Sequence, residues 1–116
     1  MKVSELSGFA LDWAVAKCEG LLCFGYRTDG ERFAVKNGDS GIGRFMPSTD
    51  WAQGGPIIER ERIDVYGFDG EQWGAEDNFR SRKYGDTPLI AAMRCYVASK
   101  LGEEITVPEA FLETSN

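Results

Sequence analysis

The stretch from Thr87 to Gly102 reads TPLIAAMRCYVASKLG, and it carries the clearest secondary-structure signals in the chain. Thr87 is a natural N-cap, Pro88 suits the first helical position and Gly102 ends the pattern. Between these residues the apolar side chains recur on one broad stripe, which consists of Leu89, Ile90, Met93, Tyr96, Val97 and Leu101. We predict a helix that packs this stripe across a small antiparallel sheet.

The chain before this helix predicts one further helix and two hairpins. Ser7 as the N-cap and Gly20 at the C′ position bound a segment with one apolar face. Residues 21–36 and 63–75 each contain two runs of strand-forming residues joined by an Asp-Gly turn. These elements predict an α+β fold, in which a small antiparallel sheet of two hairpins packs against an N-terminal and a C-terminal helix.

Two segments lack any regular pattern. Residues 37–55 contain five glycines and break every periodicity, so we predict a long loop there. Pro56 then suits the first position of a short helix over 57–62, although the same residues are also compatible with a run into a strand. Residues 76–86 are polar, and we predict irregular structure for them.

The composition predicts a single domain over residues 1–116 and excludes several functions. The chain has no histidine, which rules out His-based acid–base chemistry, Ser–His and Cys–His dyads and His metal sites. No apolar run is long enough for a membrane span, and the first residues lack a signal-peptide hydrophobic region. We therefore expect an intracellular protein with no membrane partner.

Charge is unevenly distributed. The 13 basic and 19 acidic residues give a net charge of −6, and residues 103–116 form an acidic tail. Duplex nucleic acid is an unsuitable partner, because contacts to its phosphates need clustered lysine and arginine residues. The basic run of Arg80, Arg82 and Lys83 has too few charges to bind a duplex, but enough to bind the phosphates of one nucleotide. The other interpretation is a solvated loop.

Cysteine usage favours a reducing compartment. Cys18, Cys23 and Cys95 make an odd count without the spacing of a zinc site. We interpret all three as small buried apolar residues and predict no metal and no cofactor.

The segment from Phe45 to Pro56, FMPSTDWAQGGP, predicts a ligand site. It combines a large flat indole, short hydroxyl and amide side chains and glycine amides near a predicted helix start, which suits a planar ligand that carries phosphates. A rigid loop that merely packs on the sheet explains the same residues equally well. The candidate ligand-binding residues in it are Phe45, Ser48, Thr49, Asp50, Trp51, Gln53, Gly54 and Gly55.

Residues outside this segment complete the predicted site. Arg44, Arg80 and Arg82 are the candidate phosphate contacts, and Trp73 and Tyr84 are further aromatic walls. No pair of carboxylates has a spacing that fixes a catalytic arrangement, so we predict no catalytic residues.

Three stretches carry a family resemblance: MKVSELSG with LDWAVAKCEG near the start, PSTDWAQGGPIIER over 47–60 and TPLIAAMRCYVASK over 87–100. Together they closely resemble the NinX family of small proteins from lambdoid phages and prophages. The resemblance implies a phage accessory protein that acts in the cytoplasm of the bacterial host.

This context favours a non-enzymatic anti-defence protein that sequesters a nucleotide-derived immune signal, such as a cyclic ADP-ribose-like molecule or a cyclic nucleotide. A short chain offers little depth, so the site is expected at the interface of a homo-oligomer. Two alternatives stay open. One is an acidic inhibitor that binds a host defence protein, and the other is a carboxylate-dependent enzyme that degrades such a signal.

Overall fold

The computed structural model describes residues 1–26, 32–36, 45–78 and 81–107, with only the backbone for 21–26 and 32–36. A 3₁₀ turn at Val3–Glu5 precedes α1 (Gly8–Cys18), and the strands β1 (Leu21–Tyr26) and β2 (Arg32–Lys36) follow. The remaining elements in chain order are α2 (Trp51–Glu61), β3 (Asp64–Gly67), β4 (Trp73–Glu76), β5 (Arg82–Gly85) and α3 (Pro88–Leu101).

The C-terminal helix α3 forms as its sequence predicts. Thr87 Oγ1 accepts a hydrogen bond from the Ile90 N–H at 3.1 Å, and Pro88 occupies the first turn. The helix ends at Gly102, whose φ of +94° is readily adopted only by glycine. Eight residues of α3 are buried, so this helix is the centre of the core.

The N-terminal helix α1 packs against α3. Ser7 stands at the N-cap position with extended backbone, and Gly20 follows the helix with a φ of +73°. Both predicted ends of this helix are confirmed, although the Ser7 side chain makes no capping hydrogen bond. Among the side chains that α1 buries is Asp12, a carboxylate whose partner is described with the site below.

The strands of the described residues form two separate antiparallel sheets. This confirms the α+β class, but the expectation that both hairpins share one sheet is wrong, because in the described part of the chain β4 pairs with β3 and β5 and none of these strands pairs with β1 or β2. β1 pairs with β2, and β3, β4 and β5 pair in that order. Both predicted hairpins are therefore present, and the three-stranded sheet lies against α3. The Asp29-Gly30 turn of the first hairpin lies outside the described residues.

Strand β5 lies in a segment that we expected to be irregular, so that prediction is wrong for Arg82–Gly85. The strand has no alternation of apolar and polar residues in its sequence. Lys83 nevertheless takes an inward position, because its ammonium pairs with Glu103 at 2.7 Å while the side chain remains only 11% exposed. The aliphatic part of a lysine fills such a position when its charge reaches a partner.

Helix α2 also begins earlier than predicted. Asp50 caps it by accepting the Ala52 N–H at 3.0 Å, and Pro56 lies inside the helix. The prediction of a loop through residue 55 and a helix start at Pro56 is therefore wrong. The buried Gly54 and Ile57 face the core, and this packing holds the helix together despite a proline that removes one backbone donor.

Three helices meet at a charged junction formed by Glu19, Arg60 and Tyr96. The guanidinium of Arg60 makes two hydrogen bonds to the Glu19 carboxylate, at 3.1 and 2.6 Å, and a third to the Tyr96 hydroxyl at 3.1 Å. The Tyr96 hydroxyl donates to the same carboxylate. The junction thus ties the end of α1 to α2 and α3.

Candidate functional site

An open cleft lies where the starts of α2 and α3 meet. Its volume is about 200 Å³. Trp51, the first residue of α2, forms an exposed wall with 56% of its surface in solvent. The lining combines this indole with hydroxyl and aliphatic side chains, namely Ser48, Thr49, Thr87, Leu89 and Ile90.

The floor of the cleft is anchored to α1 by a buried hydrogen bond. Asp12 Oδ1 accepts the Ser48 N–H at 2.9 Å, and both residues are only 1% exposed. A hydrogen bond in a buried, low-dielectric setting is stronger than one in water, so it fixes the backbone of this segment. The position of Ser48 is therefore set by the core of the protein.

The hydroxyl of Ser48 stands out on this floor. Its Oγ is buried and has no hydrogen-bond partner among the described residues. A buried hydroxyl without a partner costs free energy, which native proteins usually avoid. Ser48 also belongs to the lining of the cleft, so its hydroxyl lies buried directly beneath the cleft surface.

Asp50 and Gln53 belong to the framework of the cleft. Gln53 Oε1 accepts the Met46 N–H at 2.7 Å, and Gln53 Nε2 donates to Asp50 Oδ2 at 3.2 Å. Asp50 uses its other oxygen for the helix cap. The two side chains close the segment onto the start of α2, and neither lines the cleft.

Gly54 and Gly55 lie inside α2, away from its start, so the expected display of their amides at a helix N-terminus is corrected. The Gly54 N–H donates to the Asp50 carbonyl at 2.8 Å. A Cβ on Gly54 would lie 2.4 Å from the Pro47 carbonyl oxygen and 2.6 Å from Leu89 Cδ2. Gly54 therefore serves close packing between α2, α3 and the floor of the cleft.

The remaining predicted site residues lie outside the cleft or outside the described residues. Phe45 packs against the core, and Trp73 stands on the side of the sheet that faces α3. Arg82 and Tyr84 lie on the other side of that sheet. Arg44 and Arg80 fall outside the described residues.

Of the predicted residues, the cleft brings together Ser48, Thr49 and Trp51. Sequence reasoning missed its other wall, which is formed by Thr87, Leu89 and Ile90. Thr87 was recognised as a helix cap, but no sequence signal places it beside Trp51. The contact depends on how α2 packs against α3.

The electrostatics of the cleft favour a neutral ring over an anion. No lysine or arginine is among its described lining residues. The starts of α2 and α3 supply positive helix-dipole ends, but Asp50 caps one of them with a carboxylate. The described walls thus suit the planar part of a ligand.

The cysteines offer no nucleophile in the described part of the chain. Burial raises the pKa of Cys18 to about 12 and that of Cys95 to about 11, so both thiols are protonated at neutral pH. Cys95 is buried as predicted, whereas Cys18 is partly exposed, and the side chain of Cys23 lies outside the described residues. Within the described ranges no three His, Cys, Asp or Glu side chains are grouped as metal ligands.

A family model described as Bacteriophage P22, NinX matches residues 2–100. The chain belongs to the NinX family. The matched span includes all of the described residues that line the cleft. No curated protein matches the chain. None of the helices over the described residues has the length and apolar character to cross a membrane.

Proposed function

We propose that this member of the NinX family is a non-enzymatic anti-defence protein of the bacterial cytoplasm, which sequesters a nucleotide-derived immune signal in the Trp51 cleft. The observation that carries the proposal is an exposed indole beside a buried hydroxyl that has no described partner. An aromatic plane together with a few fixed polar atoms is the usual composition of a small-molecule site.

The base of the nucleotide is the part that fits the described walls. Stacking on an aromatic side chain contributes about 1–3 kcal/mol per base and tolerates any base. A rotation of the Ser48 side chain would bring its buried Oγ to the floor of the cleft for a hydrogen bond to the ligand. Thr49 and Thr87 also line the cleft. Arg44 stays the predicted phosphate contact, and a homo-oligomer would cover the open side of the cleft.

The test is a thermal-shift titration with cyclic ADP-ribose, ADP-ribose, cyclic mononucleotides and cyclic dinucleotides. We expect one of them to raise the Tm, since a ligand at 100 times its Kd adds about 2.7 kcal/mol of stability. Trp51→Ala should weaken binding at least about fivefold through the lost stacking. Trp73→Ala is the matched control, because Trp73 is 39% exposed but does not line the cleft.

Ser48→Ala separates binding from folding in the same titration. Removing a hydroxyl that lacks a partner should leave the stability of the free protein unchanged or raised, while the ligand binds more weakly.

Mass spectrometry should recover the ligand intact after denaturation. The proposal fails if no nucleotide raises the Tm, or if Trp51→Ala and Trp73→Ala bind equally well; a degraded ligand would indicate an enzyme.

A further inference from the structure

The β3–β4–β5 sheet has one face against α3 and one face that no described helix covers. Ala75 and Gly85 belong to the covered face: Ala75 is fully buried, and a Cβ on Gly85 would lie 2.7 Å from Ile90 Cγ2 of α3. Side chains alternate between the two faces along a strand. The neighbours Gly74 and Tyr84, with Tyr66 opposite Gly74, therefore stand on the uncovered face.

Three aromatic rings cluster on this uncovered face, which we call the aromatic face: Tyr66, Phe68 and Tyr84. The ring centroids of Phe68 and Tyr84 are 4.5 Å apart and tilted by 46°. Tyr66 lies across Gly74, where a Cβ would come within 2.5 Å of Tyr66 Cζ. Phe68 exposes 54% of its surface, and together with the two tyrosine rings it forms a contiguous aromatic patch of the kind that marks interaction sites.

The charges around the aromatic face are mostly negative. By register it includes one arginine, Arg82, which is already paired with Glu76 at 3.1 Å. Lys83 points to the covered side and pairs with Glu103. The carboxylates on the strands, on the turn that joins β3 to β4 and directly after β5 are Asp64, Asp69, Glu71, Glu76 and Asp86.

We infer that the aromatic face binds a basic peptide segment of a partner protein, through arginine side chains that stack on the rings. Aromatic rings attract a cation at their faces, and the surrounding carboxylates add charge complementarity. Guanidinium groups suit such a site better than ammonium groups, because they are planar and less strongly hydrated. Single-stranded nucleic acids also stack their bases on aromatic sheet faces, but here the carboxylates would repel the phosphates of their backbone.

This surface is independent of the proposed nucleotide site. Tyr66, Phe68 and Tyr84 face away from α3, whereas the Trp51 cleft is built on the start of α3. A failure of nucleotide binding therefore leaves this inference intact, and Trp51→Ala should bind the basic peptide normally.

Fluorescence anisotropy with a labelled hexa-arginine peptide tests the inference, with a hexa-lysine peptide of equal charge as the comparison. We expect hexa-arginine to bind more tightly than hexa-lysine. Phe68→Ser should weaken hexa-arginine binding about two- to fivefold, which is the size of an exposed cation–π contact. Phe68→Trp should tighten it, because indole is the best partner for a cation, and a misfolded variant cannot produce that gain.

Leu101→Ser is the matched control, because Leu101 is an exposed apolar residue on α3, 37% in solvent, and is not part of the aromatic face. It should leave the affinity unchanged. The inference is overturned if Phe68→Ser and Leu101→Ser behave alike, if hexa-lysine binds as tightly as hexa-arginine, or if an oligothymidine probe binds more tightly than either peptide.

Discussion

Gly54 stands on the buried side of α2, at a point where even a methyl group has no room. A Cβ there would meet the Pro47 carbonyl oxygen at 2.4 Å and Leu89 Cδ2 at 2.6 Å. The backbone oxygen cannot move without breaking the floor of the cleft, which Asp12 holds through Ser48. A glycine that is unfavourable for helix formation is thus required by tertiary packing.

Gly54→Ala and Gly55→Ala make a matched pair that measures this packing. We expect Gly54→Ala to destabilise the protein by about 2 kcal/mol, because overpacking outweighs the better helix propensity of alanine. A Cβ on Gly55 meets Trp51 at an ordinary 3.9 Å. In Gly55→Ala the gain in helix propensity is offset, because a residue with a Cβ directly before Pro56 disfavours the helical backbone. The free energy of unfolding of Gly55→Ala should therefore stay within about 1 kcal/mol of wild type.

Urea denaturation of wild type, Gly54→Ala and Gly55→Ala measures the free energy of unfolding of each protein, and the differences from wild type test both predictions. If the two alanines proved equally tolerated, the close approach of α2 to Pro47 and Leu89 would not exist in solution.

At the scale of elements, the charged junction joins three helices and makes their packing sensitive to acid. Burial alone would raise the pKa of Glu19, but hydrogen bonds from Arg60 and Tyr96 outweigh it and hold that pKa below its ordinary value of 4.5. Arg60 likewise lowers the pKa of Glu61. A carboxylate with a depressed pKa stabilises the fold above its unfolded pKa, and this stabilisation disappears as the pH falls through the folded pKa.

Glu19→Gln should therefore cost stability at neutral pH and little in acid. We expect a loss of about 1–2 kcal/mol at pH 7, limited by the half-exposed Arg60. Melting curves from pH 7 to pH 3 should show the Tm gap to wild type narrowing below about pH 4.5. Glu59→Gln, at an exposed position of α2, is the control and should follow the wild type; a constant gap for Glu19→Gln would contradict the role of its charge.

The helices and strands differ in how well the sequence predicts them. α1, α3 and the two hairpins carry their own signals, because caps and Asp-Gly turns act on neighbouring residues. The start of α2 does have a local signal, because Asp50 caps it. The continuation of α2 through Gly54, and strand β5, depend on distant residues: Gly54 packs against Leu89, and Lys83 pairs with Glu103. No local pattern reports these two contacts.

The candidate site divides in the same way. Ser48, Thr49 and Trp51 were predicted because they are close in sequence. The wall formed by Thr87, Leu89 and Ile90 was missed because it comes from α3.

At the scale of the whole molecule, one buried cluster joins the elements around α3. Val3 from the first turn and Ile57 from α2 belong to the same cluster as the buried residues of α1 and α3, although each comes from a different part of the chain. The first residues are also paired with the segment after α3, since the Val3 N–H donates to the Glu103 carbonyl at 2.9 Å. A shared core of this kind predicts that the described elements unfold together.

Val3→Ala and Ile57→Ala test this cooperativity from two distant positions. Removing buried methyl groups should cost about 2 kcal/mol at Val3 and about 2–4 kcal/mol at Ile57. Circular dichroism reports the helices, and fluorescence reports Trp13, Trp51 and Trp73, which lie on α1, α2 and β4. In one cooperative unit each variant shifts both signals by the same amount, whichever end of the molecule it perturbs. Separate midpoints would mean that α2, and with it the Trp51 wall of the cleft, opens on its own, so that ligand binding would have to order it first.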